Sequence, residues 1–104
     1  MSLKEILQIK NIEQRMCVLK YNSEKLLDKA ELLDKSERGN ELYLVKDIFS
    51  EPAYFLKYEC PSTGRVYVSG IDPQFVKENQ DADTCMAWKH NWSFKEYYKL
   101  KIES

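Results

Sequence analysis

The chain has 104 residues, 43% of them hydrophobic and 32% charged, with 16 Lys and Arg against 17 Asp and Glu for a net charge of -1. That length suits one domain around one core, burying roughly 60 to 70% of the surface that the unfolded chain exposes; seven Tyr, four Phe and two Trp argue against disorder. No stripe of Lys and Arg runs through the sequence, which weighs against duplex nucleic acid as main partner, since affinity for it comes largely from neutralised phosphates.

Residues 1–20 carry charges every few positions and lack the apolar centre of a signal peptide, and no apolar run is long enough to span a bilayer. The chain therefore reads as soluble and cytoplasmic, with no membrane partner. Cys17, Cys60 and Cys85 are odd in number and far apart, so they give no disulfide framework and fit reduced thiols.

Taken in order, Ser2 with Glu5 has the form of a capping box and opens a helix near residue 3. Asn11 with Gln14 repeats that signal ahead of Ile12, Met16 and Leu19, which predicts a break or bend at Asn11. Ser23 then precedes a short capped helix over 24–29, with Tyr21-Asn22 as the connection. From residue 31 the pattern turns to sheet: a short strand over Glu31–Asp34, a turn at Arg38-Gly39-Asn40, and a longer strand over Glu41–Ile48.

The clearest local signal follows. Residues 54–60 and 65–71 are rich in aromatic and β-branched side chains and flank Pro61-Ser62-Thr63-Gly64, which predicts an antiparallel hairpin. Tyr54, Leu56 and Tyr58 share one face of its first strand and Phe55, Lys57 and Glu59 the other. The expected architecture is α+β: an antiparallel three- to four-stranded meander in a single domain over residues 1–104, one face covered by N-terminal and C-terminal helices. Asp72-Pro73 is read as ending the sheet, residues 74–83 as a surface connection, Asp83 as the cap of a short helix stopping near His90-Asn91, and Ser93 with Glu96 as the start of a last helix over 94–101.

This order of elements, with the segment Phe55-Leu56-Lys57, Cys60-Pro61-Ser62-Thr63-Gly64-Arg65 and Tyr67 at its centre and Ala87-Trp88 near its end, resembles a bacterial domain of uncharacterised activity. That domain stands at the C-terminal end of larger, sometimes leucine-rich-repeat-like, proteins. The resemblance spans about residues 11–100. It implies a compact α+β module that works appended to something else, which for a small chain means an adaptor, regulator or mobile-element protein; it transfers no catalytic residue.

Candidate chemistry is sparse. Cys85 and His90 combine a thiol with an imidazole, the parts of a nucleophile or a metal site, yet five residues along a helix set them about 140° apart, and Cys85 reads better as core. Cys17 and Cys60 are expected to be small buried apolar groups. Ser62, Thr63 and Arg65 have the types of an anion-binding turn, but a phosphate loop leads into a helix, and turn geometry accounts for them. The aromatic set is the more informative feature, because Tyr and Trp concentrate at protein interfaces. Tyr58, Arg65, Tyr67 and Trp92 are the expected binding patch. The function expected is a non-enzymatic protein-interaction module with no cofactor. The alternatives are a single-stranded nucleic-acid binder that uses Tyr54, Tyr58, Tyr67 and Lys57, and a metal- or thiol-dependent enzyme that uses Cys85 and His90.

Overall fold

A computed structural model describes residues 2–46, 48–49, 51–87, 91–92 and 96–97, the side chains of 91 and 92 excepted. The two N-terminal capping signals each open a helix. Ser2 Oγ accepts from the Glu5 amide at 3.2 Å while the Glu5 carboxylate accepts from the Ser2 amide at 3.3 Å; the Ser2 amide, and after it the Ser2 hydroxyl at 3.1 Å, donate to the Glu5 carboxylate and hold it below its usual range. Helix α1 is Leu3–Leu7. Asn11 Oδ1 accepts from the Gln14 amide at 3.0 Å and starts α2, Ile12–Tyr21, so the expected bend is a full break.

The next helix departs from expectation. Ser23 caps nothing; Asn22 holds the cap position, makes no side-chain cap bond there, and instead donates Nδ2 to the Val18 carbonyl at 2.8 Å. Residues Ser23–Lys29 wind as a 3₁₀ helix with Leu26 buried, an unusually long run of that form.

Among the described residues five strands follow: β1 Glu31–Lys35, β2 Glu41–Val45, β3 Ala53–Glu59, β4 Val66–Ile71 and β5 Asn91–Trp92. Their order in the sheet is their order in the chain, every neighbouring pair antiparallel. β1 to β4 form the expected meander, and β5 is a two-residue addition against Gly70 and Ile71. Gly39 at φ 88° and Gly64 at φ 71° close the first and third turns in the left-handed region that other residues avoid. β2 stops at Val45 rather than Ile48, because its last partner on β3 is Ala53 and Pro52, lacking an amide, cannot extend the ladder.

Helices cover both faces of the sheet, where one covered face was expected. On one side Ile6, Leu19 and Leu26 from the N-terminal helices meet Val45, Ala53 and Phe55, with Phe49 and Tyr97 in the same cluster. On the other, Leu42, Leu56 and Ile71 meet Val76, Ala82 and Cys85. The adjacent pair Phe55-Leu56 points to opposite faces, so the central strand serves two cores and reads as a continuous apolar run.

The second core exists because residues 74–83 are not a surface connection. Asp72 Oδ1 accepts from the Gln74 amide at 2.9 Å, Pro73 takes the first helical position, and α3 runs Pro73–Glu78 with Val76 buried. Asp81, rather than Asp83, caps α4, Ala82–Ala87, its carboxylate accepting from the Asp83 and Thr84 amides and from the Thr84 hydroxyl. α4 is tied to the β1–β2 end of the sheet: Asp34 Oδ2 accepts from the Ala82 amide and Asn40 Nδ2 donates to Asp83 Oδ1, both at 2.7 Å.

The helix expected over 94–101 lies outside the described residues except at 96–97, which are helical. Tyr97 is buried, and its hydroxyl donates toward the carbonyls of Tyr54 at 3.0 Å and Ile71 at 2.9 Å. Among the described residues no helix is long and apolar enough to cross a membrane.

Candidate functional site

The β3–β4 turn fixes which backbone groups of β4 face outward. The Cys60 amide donates to the Arg65 carbonyl at 2.8 Å and the Gly64 amide to the Cys60 carbonyl at 2.8 Å. The pair 60/65 is thus hydrogen-bonded, and in an antiparallel ladder such pairs alternate with open ones. The register then makes Tyr58/Tyr67, Leu56/Ser69 and Tyr54/Ile71 the bonded pairs. Val66, Val68 and Gly70 turn their amides and carbonyls to the far side. Gly70 meets Trp92 of β5 there; Val66 and Val68 meet no strand among the described residues.

That edge lines a groove of about 810 Å³ whose other wall is the corner where α2 passes into the 3₁₀ helix. Lys20, Tyr21, Glu24 and Lys25 come from the corner, and residues 65–70 from the strand. The groove is wet and apolar at once: Tyr21 is 83% exposed, Val66 45% and Tyr67 41%. Apolar side chains this exposed along a strand edge are uncommon, because such edges invite pairing with other chains.

Of the expected patch, the fold brings three members together. Tyr58 and Tyr67 are cross-strand partners, their rings stacked with centroids 5.8 Å apart and planes 30° apart, and Tyr58 Oη lies 3.1 Å from Ser69 Oγ. Arg65 follows the turn and is exposed, its amide donating to Thr63 Oγ1 at 3.3 Å. Trp92 is not in a helix connection but in β5, at the Gly70 end of β4; its side chain lies outside the described residues, as do Trp88 and His90. Tyr54 and Tyr58 are half-buried and pack on the second core, and Lys57 is on the opposite face, so Tyr67 is the member of the tyrosine set with the most open ring on that face.

Sequence reasoning missed the corner residues. Tyr21 at the C-terminal end of an otherwise polar helix surface was the available signal, together with Lys20 and Lys25 on either side of the break at Asn22.

The cysteines divide differently from expectation. Cys85 is buried, its thiol donating to the Asn79 carbonyl at 2.9 Å, and burial pushes its pKa up to about 11. Cys17 is exposed on the outer surface of α2 and Cys60 is half-exposed in the turn, so neither is a buried apolar group: only one stripe of a short helix, here Leu19, reaches the core, and a turn residue has no facing layer. Cys60 Sγ lies 3.1 Å from Ser62 Oγ, and hydrogen bonds from Ser62 and then Thr63 lower its pKa to about 7. Among the described residues no group of three or more His, Cys, Asp or Glu comes together as a metal site.

No protein-family model, curated protein or solved structure matches the chain.

Proposed function

We propose that the chain is a non-enzymatic protein-interaction module that takes up an extended segment of a partner polypeptide along the outer edge of β4. The observation that carries this reading is the outward pair of amides and carbonyls at Val66 and Val68, set in a groove rather than on an open flank. Strand addition draws affinity from main-chain hydrogen bonds and selectivity from what the alternate side chains meet. An incoming strand has two different sides to satisfy: Tyr21, Val66 and Val68 on the helix side, and Tyr67, stacked on Tyr58, with Arg65 on the other. The expected aromatic and polar patch is then one flank of the site, and the helix corner is the other.

The test uses a library of random peptides displayed on phage, selected on the folded chain, and the Val66→Pro variant. Proline at 66 removes an outward amide without touching the ladder to β3. Selected peptides are expected to bind the parent and to lose at least about ten-fold, or about 1.4 kcal/mol, on the proline variant, with the circular dichroism melt little changed. Peptides that bind both proteins equally, or a selection that enriches none, would overturn the reading.

A further inference from the structure

Resting on the strand-addition reading, we infer that the segment taken up at the β4 edge is acidic: an extended stretch whose carboxylates flank the residues that pair with Val66 and Val68. The chain as a whole is nearly neutral, 16 basic against 17 acidic residues. The groove is not. Its lining holds Lys20, Lys25 and Arg65 against the single carboxylate of Glu24, three positive charges less one negative, or +2. None of these three cations forms an ion pair among the described residues, where the one ion pair is Lys46 with Glu31.

The placement of the charges matches an extended ligand. Arg65 stands at the turn end of β4, while Lys20 and Lys25 stand on the corner that overhangs the strand. A strand laid along Arg65 to Gly70 covers roughly 17 Å at 3.4 Å per residue, and it meets cations both at one end and along its helix side. Carboxylates at those positions gain charge-assisted contacts, steer the encounter, and exclude basic segments.

A second copy of the chain is a poor occupant by the same reasoning. Antiparallel pairing of two β4 edges runs about a two-fold axis normal to the sheet, so like faces of the copies share a side. Both helix corners would then lie on the same face of one seam, which brings Lys20 and Lys25 of one copy toward those of the other. Nucleic acid satisfies the cations but offers nothing in the pattern of a strand to the Val66 and Val68 backbone groups.

The experiment titrates the isotopically labelled full chain with three acetylated, amidated peptides sharing a Thr-Val-Thr-Val centre and flanked by Glu, Ser or Lys, and with oligothymidylate, following amide shifts by NMR. At low salt, about 25 mM, where exposed charges are weakly screened, the Glu-flanked peptide is expected to bind at least about ten-fold more tightly than the Lys-flanked one. It should shift the Val66 and Val68 amides, and the ratio should collapse at high salt. The triple variant Lys20→Glu, Lys25→Glu, Arg65→Glu, confined to groove surface residues, should reverse the preference. Equal binding of the Ser- and Glu-flanked peptides at β4 overturns the acidic inference and leaves strand addition standing. No shift at β4 with any peptide overturns both. Shifts with oligothymidylate alone assign the groove to nucleic acid, and shifts that depend on protein concentration without any peptide assign it to a second copy; each overturns the inference.

Discussion

Cys60 shows how a turn sets the chemistry of a side chain it did not need for closure. Gly64 supplies the positive φ that reverses the chain, and Ser62 and Thr63, drawn in beneath it, offer hydroxyls to the thiol. A hydroxyl that donates to sulfur favours the thiolate, so the pKa falls. Alkylation of Cys60 by iodoacetamide, followed by mass spectrometry, is expected to accelerate with pH around a midpoint near 7, and Ser62→Ala should move that midpoint upward. Native Cys85, buried and bonded to Asn79, should stay unlabelled until the protein unfolds. Because the folded pKa of Cys60 lies below the ordinary thiol value, its small contribution to stability is present at high pH and is lost as pH falls through about 7.

At the scale of elements, the register makes a prediction that the contact pattern alone does not. Tyr67 and Ser69 direct their amides to β3, while Val66 and Val68 direct theirs to the groove. Hydrogen exchange in the unliganded chain should therefore alternate along β4, slow at 67 and 69 and fast at 66 and 68; uniform protection would mean that another segment already covers the edge.

The same strand marks how far the sequence could be read. Aromatic and β-branched runs about Pro61-Ser62-Thr63-Gly64 named the hairpin, and two local capping patterns named α1 and α2, because those signals lie within a few residues of what they cause. The groove has no such signal, since its walls are some forty residues apart in sequence and only the packing of Leu19 and Leu26 on Phe55 and Val68 sets them side by side. The helix α3 is legible too, in a signal with two readings: Asp72-Pro73 can end a strand, and Asp at a cap followed by Pro at the first helical position can equally start a helix. The ambiguity is physical, because a proline that cannot continue a strand is already preset for a helix.

For the molecule as a whole, β3 is where the two cores meet. Phe55 is wholly buried in one and Leu56 in the other, so neither face can loosen without disturbing the strand that both share. Leu56→Ala is expected to cost about 2 to 5 kcal/mol and Phe55→Ala about 3 to 5 kcal/mol, each read from urea unfolding. Fluorescence and far-ultraviolet circular dichroism should give coincident transitions in both variants. Separate transitions would show that the two layers unfold independently.

The sheet's order also bears on how quickly the chain finds its structure. Every strand pairs with its neighbour in sequence, so no pairing among β1 to β4 waits on the closure of a long loop, and low contact order favours fast folding. Among the described residues the bonds that reach farthest are those of Asp34 with Ala82, 48 residues apart, and of Asn40 with Asp83 and Tyr97 with Tyr54, each 43 apart. These close last on that reasoning, so the strands pair before α4 and Tyr97 dock and lock the sheet between its two layers.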